Sequence, residues 1–577
     1  MSEYHLYCTN ESEDSLDMGK MSKILCKLKT IEILQNYPSQ FILECLLENT
    51  TIEKLYIDDV FEEIDMSTLQ SVLSNGRIKK LVLNNWDSVH IVLNLLDWDE
   101  INLEEFELFC ATFTVEGFEG FVQEFVQNKT IQRISFRGCG LGDEYAPAIV
   151  QLILRMPTLI DLELATNFFS HHGLAQWLDP IAQSKIVHFD VSDNPLNSIE
   201  CIIPQIGIIL QQLKSFKIGA AIIYQSGLQI LADSLHKAKN LEYLLLNEIE
   251  LTPLFFVHLK TGFDRLSTLR LDTCHLGIEA APYLADVIRK KNLKELDLSR
   301  NKIQSDSLEI LIDAIIENPN LRLLDLSENF FGENGFKQIS YLLKKSTSLK
   351  DLILDINPIG LTSMHYLAEG IMSNRTLETL SIEDCQFSPD NIPVLYKALY
   401  QNKTLFGLYI HFHQNMERLD CYCEGITDLL AVNRGIRQLS CPSFSPAKLS
   451  TMAKVVENNY SVTWIGFPDS QQFDASLRYG LKYDYGIFSP ITERNRDIQL
   501  YRSRDLITIA RLIILLNVPY DIAVQIFNIY YQFSSLALRD MGTFRRALLS
   551  KNSIGKIADN LGFSVQVFTR RCKQFLE

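Results

Sequence analysis

The 577-residue sequence lacks the features that mark several common protein classes. Its 12 cysteines form no regular framework and contain no CxxC pair, a usage typical of a reducing compartment rather than a disulfide scaffold. The most apolar late run, Leu506 to Val518, is short and contains Arg511, so no membrane span is expected. The first 20 residues show neither a basic leader nor an apolar stretch, so no classical signal peptide is expected. These absences predict a cytoplasmic protein.

Motifs of catalysis are also missing. The sequence contains no GxxxxGK(S/T) phosphate loop, no GxSxG elbow and no HExxH zinc motif. His411 and His413 precede a CxC pair, Cys421 and Cys423, but this spacing fits none of the usual zinc arrangements. We therefore expect no enzyme activity, no metal, no cofactor and no small-molecule substrate.

Positive charge is scarce, with 54 Lys+Arg against 71 Asp+Glu and a net charge of −17. A chain this acidic is not expected to bind nucleic acid or an anionic membrane. Residues 491–577 nevertheless carry a net charge of +6, which leaves −23 on the remainder. An acidic body followed by a basic tail predicts two domains.

What the sequence does have is a repeat. Leu293, Leu296, Leu298, Asn301 and Ile303 return with similar residues 28 positions later, and again after each further 28. The pattern LxxLxLxx(N/C)x(L) is the leucine-rich signature. First anchors of 17 such units, about 27 residues apart, are Leu28, Ile52, Ile78, Leu103, Ile131, Leu159, Ile186, Leu213, Leu241, Leu266, Leu293, Leu321, Leu349, Leu377, Leu405, Ile436 and Val462.

Each unit combines two periodicities. The apolar residues of LxLxx alternate, which predicts a strand with one buried face, and the second half shows the three- and four-residue spacing of an amphipathic helix. The fold class is therefore an α/β leucine-rich-repeat solenoid, a horseshoe with an inner parallel sheet and outer helices. The predicted domains are a cap at 1–27, about 16–17 repeats over 28–468, a linker at 469–490 and a small all-helical domain at 491–577.

The repeat length and the Asn/Cys position resemble the ribonuclease-inhibitor class of leucine-rich repeats. That resemblance implies the fold and a protein ligand. The layout of acidic repeats and short helical tail is also similar to leucine-rich-repeat effectors that intracellular bacteria inject into host cells. This second resemblance implies a host protein as partner, and delivery into the host cytosol without a classical signal peptide.

The strand residues between the buried leucines predict where a partner binds. In a horseshoe they line the concave face, and carboxylates gather there near the C-terminal end beside aromatic residues. Such a strip favours a basic protein partner, with aromatics as anchors. The predicted partner-binding residues are Asp297, Asp325, Asp355, Glu383, Asp384, Tyr409, His411 and Phe412. The competing interpretation is a solvated face with the average charge of the chain.

Asn-x-Thr sequons at Asn49, Asn128, Asn374 and Asn402 precede repeat anchors. We interpret them as helix ends rather than glycosylation sites, because asparagine tolerates the left-handed conformation of a helix stop.

The tail leaves two alternatives open. Residues 518–527 resemble the opening of an F-box, which would make the chain a ubiquitin-ligase adaptor recruiting through Pro519, Ile522, Ile526 and Phe527. Residues 553–564 resemble a helix-turn-helix with Gly562 at the turn and Arg570 and Arg571 beyond it, which would make it a nucleic-acid-binding regulator. The interpretation we favour is a monomeric, non-enzymatic scaffold that captures a host protein on its concave face.

Overall fold

A computed structural model describes most of the repeat region. The described residues are 29–33, 39–49, 51–58, 64–259, 265–290, 292–386, 388, 390–410, 416–441, 446–459 and 461–466. The expected cap at 1–27, the linker at 469–490 and the helical domain at 491–577 lie outside them. That division of the chain stays a prediction.

One parallel sheet of 17 strands runs through the described residues. Each strand pairs with the next one along the chain, so the inner strands have two partners and the two end strands have one. The strands are β1 Thr30–Ile33, β2 Lys54–Asp58, β3 Lys80–Asn84, β4 Glu105–Phe109, β5 Arg133–Arg137, β6 Asp161–Glu163, β7 His188–Asp190, β8 Ser215–Gly219, β9 Tyr243–Asn247, β10 Thr268–Arg270, β11 Glu295–Asp297, β12 Leu323–Asp325, β13 Asp351–Ile353, β14 Thr379–Ser381, β15 Gly407–Tyr409, β16 Gln438–Ser440 and β17 Trp464–Gly466.

A helix connects each strand to the next and packs against the neighbouring helices. The helices are α1 Ser39–Leu47, α2 Met66–Ser74, α3 His90–Leu93, α4 Val115–Phe125, α5 Ala146–Arg155, α6 His171–Gln183, α7 Ile203–Ile209, α8 Gln225–Lys237, α9 Pro253–Leu259, α10 Ala281–Lys290, α11 Ser305–Glu317, α12 Gly332–Lys345, α13 Leu361–Ser373, α14 Asn391–Gln401, α15 Met416–Val432 and α16 Pro446–Glu457. None of the helices among the described residues is long and apolar enough to cross a membrane.

The repeat predicted from the sequence is confirmed in register. Each of the 17 strands begins two residues after its anchor, from Thr30 after Leu28 to Trp464 after Val462. The second strand residue is buried throughout, as Leu296 and Leu324 show, while its two neighbours on the strand are on the other face. One strand and one helix per repeat, stacked in register, constitute the expected solenoid.

The Asn/Cys position, eight residues after each anchor, forms a row of buried side chains through the core, which we call the spine. Asn329 is 1% exposed; its Oδ1 accepts from the backbone N–H groups of Asn301 and Ile303, and its Nδ2 donates to the carbonyls of Leu298, Leu326 and Ser327. Each such asparagine therefore joins its own turn to the preceding one. A buried backbone group needs a partner, and these side chains supply it where the chain leaves the strand.

Cysteine supplies only part of this bonding. The Sγ of Cys274 donates to the Leu246 carbonyl at 2.9 Å, but the N–H groups of Cys274 and Leu276 depend on the Oδ1 of Asn301 in the next repeat. Thiol sulfur is a weak donor and a weak acceptor, so cysteine serves mainly as a small apolar filler there.

The spine is interrupted where neither residue type is present. Ala221 and Ile249 occupy the position in the repeats of β8 and β9. Because Ala221 has no side-chain amide, the Leu196 N–H donates to the Asn194 carbonyl instead. Residues 197–198 also pair with residues 221–222 in a short parallel ladder. Backbone pairing thus replaces the missing side chain.

The sequon asparagines form a second buried ladder at the helix ends. Asn128 is 1% exposed; its Oδ1 accepts from Thr130 and Ile131, and its Nδ2 donates to the Ile101 carbonyl of the preceding repeat. The expectation of a left-handed backbone is wrong, because Asn374 and Asn402 have φ of −73° and −81°. The side-chain amide, rather than an unusual backbone, satisfies these helix ends.

Burial divides the cysteines of the described residues into two groups. Burial raises the pKa of Cys139 and Cys274 to about 12, and it raises the pKa of Cys441 well above its usual value. Cys110 and Cys201 are exposed. Because the thiolate is the nucleophile, we expect iodoacetamide at pH 8 to alkylate Cys110 and Cys201 in the folded protein and to spare the other three. Peptide mass mapping checks this, and rapid labelling of Cys274 without denaturant would contradict it.

Candidate functional site

The face of the sheet that points away from the helices divides into two electrostatic halves. On β3 to β8, cations alternate with carboxylates and form ion pairs between strands. Lys80 Nζ lies 2.6 Å from Glu107 Oε1, Arg133 Nε lies 2.8 Å from Asp161 Oδ2, and Lys217 Nζ lies 2.8 Å from Asp190 Oδ2. The positive and negative charges on this half of the open face therefore largely cancel.

The C-terminal half is different in composition. On β11 to β15, the second, fourth and sixth positions after each anchor contain no lysine or arginine. They contain six carboxylates, which we call the acidic strip: Glu295, Asp297, Asp325, Asp351, Asp355 and Glu383. The strip crosses four neighbouring strands, about 14 Å at ~4.8 Å per strand. Arg270 Nη2 lies 3.6 Å from Glu295 Oε2 at its beginning.

Hydrogen bonds from serine fix several of these carboxylates. Asp297 Oδ1 accepts from the backbone N–H and the hydroxyl of Ser299, and Asp325 Oδ1 accepts from the same two groups of Ser327. Asp355 Oδ1 accepts from the hydroxyl of Ser381. Preorganised carboxylates of this kind lose little side-chain entropy when they bind a cation.

Aromatic residues border the strip at β15 and β17. The Tyr409 and Trp464 ring centroids are 6.2 Å apart, and the Tyr409 hydroxyl donates to Gln438 Oε1 at 3.2 Å. Gly407 precedes Tyr409 on the same face, and a Cβ atom there would lie 2.9 Å from Thr379 Cγ2, so the neighbouring side chains fill the room that glycine leaves. Burial, with Glu383 and Asp351 nearby, raises the pKa of Tyr409, so its hydroxyl stays neutral.

The structure places most of the predicted site residues on one surface. Asp297 and Asp325 are register partners on β11 and β12, and Tyr409 continues the same row on β15. Asp325 is only 5% exposed, so it is the least accessible member. Asp384 directly follows Glu383, at the seventh position after its anchor, in a left-handed turn with φ of 51°. His411 and Phe412 lie outside the described residues.

Three residues of this surface are missing from the sequence-based prediction. Glu295, Asp351 and Trp464 all lie at the second position after an anchor, whereas only the fourth and sixth positions were considered. The strand pairing shows that the second position shares the open face, since alternate strand residues point the same way. The same anchors could have identified them.

The remaining predicted sites are not described by the structure. His413 and the F-box-like residues Pro519, Ile522, Ile526 and Phe527 lie outside the described residues, as does the helix-turn-helix-like segment. Among the described residues, no group of three or more His, Cys, Asp or Glu side chains could hold a metal ion.

Comparison with known proteins agrees with this geometry. A family model described as Leucine Rich repeat matches residues 289–310, which include β11 and the start of α11. The chain has a leucine-rich-repeat fold and is similar in sequence to ribonuclease inhibitor. The mouse ribonuclease inhibitor (Mus musculus) is 24% identical over 367 residues, 56% of this chain and 78% of that protein.

Two further relatives are similar over about half of the chain. The pig ribonuclease inhibitor (Sus scrofa) is 23% identical over 317 residues, 48% of this chain and 69% of the relative. Human NACHT, LRR and PYD domains-containing protein 5 (Homo sapiens) is 25% identical over 277 residues, which cover 47% of this chain but 21% of that protein.

Proposed function

We propose that this protein is a non-catalytic scaffold that binds a basic segment of another protein on the acidic strip. The observation that carries the proposal is the change along one sheet from paired charges on β3 to β8 to six carboxylates on β11 to β14. A basic segment would supply the cations that these strands lack. Complementary charge of this kind accelerates association and selects the partner.

Similarity supports a protein ligand. Two relatives are named inhibitors of ribonuclease, which implies that they act on another protein. In a solenoid of stacked repeats the open sheet offers an extended surface for such contacts. Tyr409 and Trp464, both partly exposed at the end of the strip, would bury apolar area of the partner, as aromatic anchors do at protein interfaces.

The test is binding of a labelled hexalysine peptide to the full chain at low ionic strength. In the triple variant Asp297→Asn, Asp351→Asn, Asp355→Asn we expect the affinity to fall about tenfold or more, about 1.4 kcal/mol. Asparagine keeps an oxygen that accepts the serine hydrogen bonds, so the sheet is expected to stay intact. Fluorescence anisotropy measures the affinity.

A matched triple variant controls for net charge. Asp179→Asn, Glu309→Gln, Asp313→Asn removes three carboxylates from exposed positions on α6 and α11, on the helical side. Equal loss of binding in both triple variants would show that overall charge, rather than the strip, attracts the peptide. Unchanged binding in the strip variant would refute the proposal.

We further propose that the partner is a host protein and that the chain acts as an injected effector. The support is the resemblance in layout between these acidic repeats with their short basic tail and injected leucine-rich-repeat proteins. A reporter fused to the chain should then appear in the host cytosol during infection by the source bacterium. Retention of the reporter in the bacterium would contradict this extension without affecting the binding site.

A further inference from the structure

The edge of the sheet where the strands begin carries charge of the opposite sign. Lys294, Arg322 and Lys350 each follow the anchor of their repeat directly, in three consecutive repeats. Their backbones are hydrogen-bonded in sequence, since the Arg322 N–H donates to the Lys294 carbonyl and the Lys350 N–H donates to the Arg322 carbonyl, each at 2.7 Å. The three cations therefore occupy equivalent positions about 5 Å apart. We call them the cation column.

Elsewhere at the same position, the chain pairs cations with carboxylates of the next repeat. Lys29 Nζ lies 2.7 Å from Glu53 Oε1, and Lys79 Nζ lies 3.2 Å from Glu104 Oε1. The column ends in such a pair, with Lys350 Nζ 2.6 Å from Glu378 Oε1. Lys294 and Arg322 are exposed and form no ion pair within the part of the chain that the structure describes. Like charges facing each other across strands destabilise a sheet, so an anionic ligand would relieve their repulsion.

A groove of about 460 Å³ lies beside the column. It is lined by Glu242, Arg265, Ser267, Asn292, Lys294 and Asn320. Arg265 adds a fourth cation, and it too forms no ion pair with any described residue. The Asn320 Nδ2 donates to Asn292 Oδ1 at 2.7 Å, which leaves the Asn292 amide able to donate and the Asn320 oxygen able to accept. The groove thus presents cations, amide donors and amide acceptors together.

We propose that the cation column and this groove form a second interaction surface, which binds a short acidic peptide segment of a protein partner. A peptide offers carboxylates for Lys294, Arg322 and Arg265, together with backbone N–H donors for the Asn320 oxygen and for Glu242. The phosphodiester groups of a nucleic acid or a membrane lipid are negative and carry no hydrogen-bond donor, so Glu242 would repel them. The overall charge of −17 would also act against large polyanions, which carry more negative charge than a short segment.

The test measures binding of a labelled hexaglutamate peptide to the full chain at low ionic strength. In the double variant Lys294→Glu, Arg322→Glu we expect the affinity to fall about tenfold or more, because the variant replaces attraction with repulsion at the centre of the column. The control is Lys337→Glu, Lys397→Glu, which makes the same change in net charge at exposed positions on α12 and α14. Equal weakening by the two double variants would overturn the proposal.

Two further arms distinguish this surface from other ligands and from the acidic strip. A uridine hexanucleotide and vesicles containing anionic lipid are tested in the same assay, and tighter binding of either than of hexaglutamate overturns the proposal. The column variant is also tested with hexalysine, whose binding it should retain or improve. Loss of hexaglutamate binding with retained hexalysine binding supports two separate surfaces and shows that the variant is folded. Loss of both peptides, or no detectable binding of hexaglutamate to the wild-type chain, contradicts the second surface without testing the first.

Discussion

Replacement of Asn329 by alanine is expected to destabilise the protein by about 4 kcal/mol, because three buried backbone groups lose their partners. These groups are the N–H groups of Asn301 and Ile303 and the carbonyl of Leu298. The carbonyls of Leu326 and Ser327 keep other donors, from Asn357 and Arg300 respectively. Urea unfolding followed by circular dichroism measures the free-energy change.

The loss of stability in Asn329→Ala should also be confined to the repeats around residue 329. A solenoid is stabilised by contacts between neighbouring repeats, so hydrogen exchange should accelerate most in β11 to β13. Asn329→Cys is expected to cost less than Asn329→Ala, because a thiol can still donate to the Leu298 carbonyl, as Cys274 does to Leu246. The control Asn320→Ala removes an exposed amide that lies directly before the anchor of the same repeat. A loss below about 1 kcal/mol for Asn329→Ala would show that water or backbone relaxation replaces the amide.

Replacement of Phe121 by alanine is expected to cost about 3–5 kcal/mol. Phe121 lies on α4 and is fully buried in a cluster of aromatic rings contributed by three successive repeats. Its ring centroid is 4.7 Å from that of Phe125 and 5.9 Å from that of Trp98. The remaining rings of the cluster are large and rigid, so they cannot collapse fully into the space that alanine would leave.

Phe168→Ala is the matched control for this prediction. Phe168 is 69% exposed, so the same change there should alter the free energy of unfolding by less than about 0.5 kcal/mol. Phe121→Leu should fall between the two, since leucine fills part of the cavity. Similar losses for Phe121→Ala and Phe168→Ala would contradict the packing described for α4.

The repeat could be predicted from the sequence because its buried positions are dictated by residue type. Leu296, Leu324 and Leu352 recur at 28-residue spacing and are all fully buried. Apolar residues at that spacing can leave water together only if successive units stack. The Asn/Cys position could be predicted equally well, since its amide or thiol forms hydrogen bonds with backbone groups where the strand ends.

The site could be predicted in part. The fourth position after each anchor placed Asp297, Asp325 and Tyr409 in one row across the sheet, because strand pairing in a solenoid follows the anchors. The sequence could not show that Asp325 is nearly inaccessible or that Ser299 and Ser327 hold the carboxylates, since both depend on side-chain packing. It also did not show the groove beside the cation column, or that Lys294 and Arg322 form no ion pair with a described residue, because side-chain positions decide both.

The sequence by itself determined the architecture, the number of strands and the face on which carboxylates gather, because periodic burial of apolar residues leaves one arrangement of the repeats. Tertiary structure alone decided the turns. Directly before the Asn/Cys position the backbone is left-handed in repeat after repeat, with φ of 56° at Arg300, 53° at Glu328 and 58° at Ile356. The residue types at this position do not predict a left-handed backbone, and a β-branched isoleucine disfavours it. The strands on both sides and the buried asparagine that follows hold the chain in that turn, so it is the stacked repeats, rather than the local sequence, that stabilise the turn.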